Sequence, residues 1–392
     1  MKDPNRTISI ITHYWESVRI KVINRCRIRK LMKLKGRKIY VPDSANRLYN
    51  SKSKALEADK TLFRLKICPN SKIHVNTTNK LISFNDGYRA SQNFSKIYEK
   101  NTGNLINLIG QYTPKEKCIR EIGCGDGIFL EQLRENGFTN LHGYDAACKK
   151  NKDLVTNRYL DDSDFPLNAD AIILRHVLDD VPNPVSFLNH ILKINSKPFL
   201  LFMELMSFDQ VTSMKRVWDL SNERINYFTE SSMRKIFGSS IKRLDYTIEN
   251  QNMLICVDFD TQLTTQLLPT HSNYKLIIEL KKSLGKQIKQ LKEVIKDNKY
   301  IIWGGSSKGV TFSFFCTEQY GIAPPIGIID SDPGRQGKFI HTSGVEILSP
   351  KEGLALLGDN DVLVISNPVY KDEILDAIKK NTHNKIVVIA LP

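Results

Sequence analysis

No stretch of this 392-residue chain holds the roughly 18 consecutive apolar residues of a membrane-spanning helix, so no span is expected. An apolar signal-peptide core is missing too, because Asp3, Arg6, His13 and Glu16 interrupt the first nineteen residues. Cysteine pairs are absent: the seven residues, at 26, 68, 118, 124, 148, 256 and 316, stand singly. That excludes a disulfide framework and points to a reducing, cytoplasmic setting. Acidic residues are missing from Arg19–Lys38, which carries ten basic ones and no aromatic. Without aromatics this segment lacks the stacking platform of single-strand binders, although a basic run still suits phosphates, nucleic acid or an anionic surface. A solvated arm is the other reading. The charge excess is confined to this region. Residues 1–80 hold 20 basic and 5 acidic residues, which leaves 57 − 20 = 37 basic and 42 − 5 = 37 acidic in the rest.

What is present is an alternation of short apolar runs and amphipathic stretches. Lys117–Glu121, Leu141–Tyr144, Ala169–Leu174 and Pro198–Met203 read as strands, Ile128–Glu135 and Pro184–Leu192 as helices. Arg243–Glu249 and Met253–Phe259 read as a closing strand pair. Tyr274–Asp297 carries apolar residues at spacings of three and four and predicts one long joining helix. A second alternation comes next: strands at Tyr300–Trp303, Ile326–Ile329, Asp361–Ile365 and Lys385–Ala390, a helix from the Gly304 loop through Phe315, and another near Lys371–Lys380. Ser349-Pro350-Lys351-Glu352 reads as a capping box opening a helix that Gly358 closes. Crossover helices of this kind imply mostly parallel sheets. The expected fold class is α/β: a Rossmann-like unit followed by a second, with a small basic N-terminal region. The expected divisions are 1–80, 81–262, a linker helix at 263–298, and 299–392.

Two glycine loops carry the chemistry. Glu121-Ile122-Gly123-Cys124-Gly125-Asp126-Gly127 follows a strand and opens a helix, and Asp145 lies 24 residues after Glu121. Glycines there let the backbone turn and approach a ligand, and a carboxylate at the next strand end suits ribose hydroxyls. Asp126 would repel a pyrophosphate. The second loop, Gly304-Gly305-Ser306-Ser307-Lys308-Gly309, has Asp330 downstream as a nucleotide fingerprint would.

The first loop resembles motif I of the class I S-adenosylmethionine-dependent methyltransferases. The resemblance implies S-adenosylmethionine as cofactor, with Glu121 and Asp126 at its methionine end, Asp145 on the ribose, and Asp161 or Asp162 near the adenine. Arg175-His176 would close the third strand beside the methyl group. For His176, a buried satisfied histidine and a substrate contact both stay open. From about Arg25 onward the chain is similar to the C-methyltransferases of nucleotide-linked deoxysugars. The matching stretches are Leu62–Val75, Phe84–Phe94, Leu220–Phe228, the Gly304 loop, Ile329–Phe339 and Ser366–Ile374. The family has an N-terminal zinc domain, a central methyltransferase and a C-terminal domain that helps hold the nucleotide-sugar. This chain departs from that pattern in its acid/base and metal residues. Tetrahedral zinc wants four ligands, but Cys26 is followed by Arg29 and Cys68 by Ser71, so no metal is expected. Asn222 and Arg224 replace a catalytic histidine pair, leaving Glu223, and Asp86 replaces a tyrosine, leaving Tyr88. Glu223, Tyr227, Tyr88 and His176 are therefore the expected catalytic set. Arg224, Gly304, Ser306, Lys308, Asp330 and Asn367 are the expected substrate contacts. C-methylation of a nucleotide-sugar or related glycan precursor is the favoured reading. O- or N-methylation, or a non-catalytic protein using its basic arm, are the alternatives.

Overall fold

Strands that lie inside a parallel sheet are apolar on both faces, and Ala171–Arg175 (AIILR) and Phe199–Met206 (FLLFMELM) have that character. Both are buried in the computed structural model, which describes residues 38–78, 87–89, 95–150, 153–265, 267–296 and 298–392. The basic stretch Arg19–Lys38, apart from Lys38, lies outside the described residues, as do Cys26 and Asp86.

Seven strands form the central sheet: β1 Cys118–Ile122, β2 Asn140–Tyr144, β3 Val155–Thr156, β4 Ala171–Arg175, β5 Phe199–Met206, β6 Ile241–Thr247 and β7 Asn252–Phe259. Their order is β3-β2-β1-β4-β5-β7-β6. β1 to β5 run parallel, β7 runs antiparallel to β5, and β6 antiparallel to β7. The order reverses between β1 and β4, and a ligand crevice belongs outside the strand ends at such a switch point. Apolar side chains cover both faces, with Ile172, Leu174, Leu201 and Met203 on one and Ile119, Leu130, Ala171 and Phe202 on the other.

A five-stranded sheet comes later in the chain: β8 Tyr300–Trp303, β9 Ile328–Ile329, β10 Ile347–Leu348, β11 Val362–Ile365 and β12 Val387–Ala390. It is wholly parallel, in the order β10-β9-β8-β11-β12, with its reversal between β8 and β11. The helix Tyr274–Ile295 precedes it and buries Ile277, Leu280, Leu284, Ile288, Leu291 and Ile295 along one stripe. At 22 residues it is about 33 Å long. Residues Tyr40–Pro392 form one compact unit. No helix among the described residues is long and apolar enough to cross a membrane.

Three local readings change. The helix opened by the Ser349 capping box ends at Ala355 rather than at Gly358, whose amide instead closes a turn onto Asp361. The helix after the second glycine loop runs Ser307–Phe314 and then widens into a π-turn through Gln319. β9 begins at Ile328, and Ile326 is exposed.

Residues 60–78 pack into the same unit as the two glycine-loop sheets. His74–Asn76 and Leu65–Ile67 join Asn226–Tyr227 and His271–Ser272 in a four-stranded antiparallel sheet. Cys68 closes a tight turn, its carbonyl accepting from Lys72 N and its amide donating to Ile73 O, with the thiol buried and pushed up by that burial. Among the described residues no group of three His, Cys, Asp or Glu side chains is placed to hold a metal ion.

Candidate active site

The first glycine loop leaves β1 with Gly123, Gly125 and Gly127 all at positive φ, +74°, +57° and +76°. Side chains rarely adopt that conformation, so the spacing of glycines dictates the shape. A Cβ on Gly123 would lie 2.5 Å from Val177 Cγ2, whereas one on Gly125 would meet nothing within 4 Å. The loop therefore packs against Val177 on one side and stays open above Gly125. Gly125 N donates to Asp145 Oδ2 at 2.8 Å, and Asp145 Oδ1 accepts from Ala147 N at 2.7 Å. Glu121 is buried beneath the loop, and its Oε2 has no hydrogen-bond partner among the described residues. Burial pushes its carboxyl up to about 7, although the Arg175 guanidinium pulls the other way. Arg175 is held by Glu204 at 2.9 Å, by Tyr98 Oη at 2.9 Å, and over the Phe129 ring.

Asp126 is placed differently from the expectation. Its Oδ1 accepts from Lys149 N at 2.8 Å and Lys150 N at 3.1 Å, so that oxygen fastens the turn after β2 rather than reaching for a ligand. Asp161 caps the short helix Asp162–Asp164 through Ser163 N and pairs with Arg158 at 3.3 Å. His176 has φ +53°, and its ring lies between two carboxylates: Nδ1 is 3.8 Å from Asp179 and Nε2 is 3.8 Å from Glu204. About a third of the side chain is exposed, so the ring is not fully buried.

The segment Asp219–Phe228 is bound to its surroundings from three sides. Asp179 O accepts from Ile225 N and Asn226 N, both at 2.8 Å, and Asn226 Nδ2 donates to Leu178 O and Val181 O. Asn222 Nδ2 donates to Asp43 O at 2.9 Å. Glu223 Oε1 accepts from Ser44 Oγ at 3.1 Å and Asn46 N at 3.0 Å, and the side chain is sealed. Its carboxyl is raised by burial and restrained by those bonds. Tyr227 is fully buried, with its hydroxyl accepting from Ser221 N and donating to Ser221 O, each at 3.1 Å. That closes a loop, and no part of the side chain faces the crevice. Tyr88 is raised by burial and by the Glu223 and Asp180 charges, and Arg224 acts on both Tyr88 and Asp180. Arg224 lies over the Tyr227 ring at 5.8 Å, and the charges of Arg224, Glu223 and Asp180 all act on Tyr88.

The second glycine loop repeats the device of the first. Gly305 N donates to Asp330 Oδ2 at 2.7 Å, and Asp330 Oδ1 accepts from Asp332 N at 2.8 Å. A Cβ on Gly309 would fall 1.9 Å from Gly304 O, so that close crossing demands glycine. Ser306 begins the helix without a side-chain cap. Lys308 does not reach free into the crevice: its Nζ pairs with Asp219 at 2.5 Å, which holds Asp219 low, while burial pulls the lysine down. Asn367 accepts from Gln251 Nε2 at 2.9 Å, a tie between the two sheets' loops. Arg89 makes a bidentate pair with Asp332, and the charges of both Asp330 and Asp126 act on it. Buried Arg335 donates to Gly305 O and Arg89 O. Ser307 N donates to Asn46 Oδ1 at 3.1 Å, next to the Asn46 amide that holds Glu223.

Asp179, Asp180 and Glu204 escaped the sequence reading. The adjacent acidic pair three and four residues past His176 was the available signal. Glu204, inside an apolar strand, had only its incongruity to mark it.

Residues 94–240 match the model of a family described as Methyltransferase domain. No curated protein matches the chain. Similar solved structures include the magnesium protoporphyrin IX methyltransferase of Synechocystis with bound S-adenosylhomocysteine. It is 16% identical over 41% of this chain and 83% of that one, with TM-score 0.32. Human N-acetylserotonin methyltransferase is 14% identical over 42% and 53%, with TM-score 0.33. An S-adenosylmethionine-dependent methyltransferase from Mesorhizobium loti is 14% identical over 39% and 96%, with TM-score 0.30. The match covers the strands of the central sheet from β1 to β5, and the first glycine loop lies at the switch point of that sheet.

Proposed function

We propose that the chain transfers a methyl group to a nucleotide-linked sugar or related glycan precursor bound between its two glycine loops. The observation that carries this reading is the repetition of one device. Each parallel sheet ends its first strand in a glycine loop whose amide is held by an aspartate at the end of the next strand, Gly125 with Asp145 and Gly305 with Asp330. Such a carboxylate can exchange the loop amide for ribose hydroxyls. Arg89 stands under the influence of both loops.

The first site fits S-adenosylmethionine. The orphaned Glu121 Oε2 suits a cationic amino group, Asp145 suits the ribose, and the open face of Gly125 admits close approach. In this reading Asp161 meets the adenine. When bound, this cofactor supplies an electrophilic methyl group. The chain's own part is to orient, to exclude water and to take a proton from the acceptor. In this reading residues 81–262 form the cofactor unit and 299–392 the nucleotide unit, with 263–298 joining them. Gly304, Ser306 and Asp330 receive the nucleotide, while Lys308 and Asn367 hold the loop through Asp219 and Gln251.

Carbon methylation beside a keto group is the favoured chemistry: the mutual influence of Tyr88, Arg224, Asp180 and Glu223 supports a site offering both a base and an enolate stabiliser. One observation favours O- or N-methylation instead: Glu223 is sealed by Ser44 and Asn46. Titration calorimetry with S-adenosylhomocysteine and, separately, with uridine or thymidine diphosphate tests the two-site reading. Asp145→Ala should lose the first ligand and Asp330→Ala the second. Wild-type protein that binds no S-adenosylhomocysteine would refute the enzyme reading. Binding of that ligand without either nucleotide would refute only the sugar-nucleotide part.

A further inference from the structure

We propose that Asp180 is the group that takes the proton from the acceptor atom; this rests on the methyltransferase reading above and names the base within that site. The turn that carries Asp180 is fixed with respect to the cofactor loop. It leaves the C-terminal end of β4, is closed by Asp180 N donating to Val177 O at 3.0 Å, and presses Val177 against Gly123. The two aspartates of the turn differ in exposure. Asp179 is sealed: neither carboxylate oxygen has a hydrogen-bond partner among the described residues, Arg224 Nε and His176 Nδ1 stand 3.8 Å away, and its carbonyl pins residues 225 and 226. Its neighbour Asp180 is only half-buried, and its carboxylate makes no hydrogen bond or ion pair among the described residues.

A half-buried carboxylate normally acquires a partner, because an unpaired charge costs free energy to desolvate. The charged and titratable groups that act on Asp180 are Arg224, Asp179, Glu223 and, reciprocally, Tyr88. Burial and the two like charges raise its carboxyl well above the usual range, with Arg224 alone opposing them. Glu223 cannot serve in the same way, since Ser44 and Asn46 occupy one oxygen and the side chain is sealed. Asp180 thus joins three properties of a general base: an uncommitted carboxylate, a position beside the cofactor loop, and raised basicity. In the step itself the acceptor's X–H bond breaks and an O–H bond forms on Asp180. The electron pair stays on the acceptor atom, next to Arg224 and Tyr88. The proton leaves afterwards to solvent through the exposed side.

Two measurements test this. In the free protein, carboxyl-carbon NMR should find Asp180 titrating above the ordinary carboxylate range. Asp180 titrating in the ordinary range would overturn the proposal. The second uses a nucleotide-linked keto-deoxysugar in deuterium oxide, with S-adenosylhomocysteine replacing the methyl donor, so that exchange of the acidic C–H reports the base alone. Asp180→Asn should slow exchange about 10²–10⁴-fold, and Asp180→Glu should restore part of it. S-adenosylhomocysteine affinity should hold, and the melting temperature should stay or rise. Exchange at the wild-type rate in Asp180→Asn would overturn the assignment. A wild-type protein that exchanges nothing refutes carbon methylation of this sugar class; methyl transfer to an oxygen or nitrogen acceptor is then the readout, and turnover unchanged in Asp180→Asn would overturn the assignment.

Discussion

If Glu121 receives the cofactor's amino group, as proposed, binding is coupled to a proton. Its carboxyl lies near 7 in the free protein against 4.5 for the unperturbed group, because it is buried with one oxygen unpaired. The difference, 7 − 4.5, is about 2.5 pKa units, or about 3.4 kcal/mol at 1.36 kcal/mol per unit. The sign follows from a raised folded-state value. Below 4.5 the group is protonated whether folded or unfolded and costs nothing. Between 4.5 and 7 the unfolded chain ionises first and stability is lost. Above 7 the full cost persists. A cationic amino group beside Glu121 should reverse this and return the carboxyl toward 4.5. Binding of S-adenosylhomocysteine should then release about 0.9 proton at pH 6, about 0.5 at pH 7 and about 0.1 at pH 8. Below pH 7 the affinity should fall by up to tenfold per unit. Calorimetry in two buffers of different ionisation enthalpy reads the proton count directly. Glu121→Gln should abolish the release, and its stability relative to wild type should improve from pH 5 to pH 8. Proton release that is near zero at pH 6, or a Gln variant whose relative stability does not change with pH, would refute the assignment of Glu121 as the cation's partner.

Asp145→Ala should cost about 1–3 kcal/mol of S-adenosylhomocysteine affinity in the same calorimeter, since it strips charge-assisted bonds from the ribose and frees Gly125 N. Tyr227→Phe should lower stability by about 1–3 kcal/mol in urea unfolding, because it leaves Ser221 N and O unpaired in the interior, while turnover per folded molecule changes little. A large loss of turnover at full stability would return Tyr227 to the catalytic set. Elemental analysis should find well under one zinc per chain, since Cys26 and Cys68 lack the second thiol of each pair. One zinc per chain would mean that other ligands, such as His74, complete the site.

The sequence by itself determined the features that depend on near neighbours. Glycines at 123, 125 and 127 adopt positive φ because only they do so without strain, and the strand before and helix after them are written in the local apolar spacing. An aspartate directly after β2 or β9 reaches the adjacent glycine loop because parallel strands place those ends side by side. Only the tertiary structure decided which polar groups are free to act. Glu223 looked like the surviving base, but Ser44 and Asn46, nearly 180 residues away, close around it. Lys308 looked like a phosphate ligand, but Asp219, 89 residues away, takes its charge. Asp126 carried the chemistry of a ligand contact and is held by the amides of a turn that the motif does not contain. Asp179 and Asp180 are identical letters in the chain, yet one is sealed in the interior beside Arg224 and His176 while the other is only half-buried. Backbone conformation is a property of a few adjacent residues. Desolvation and partnership are set by whatever distant chain packs against a side chain, and they govern whether it can bind or move a proton.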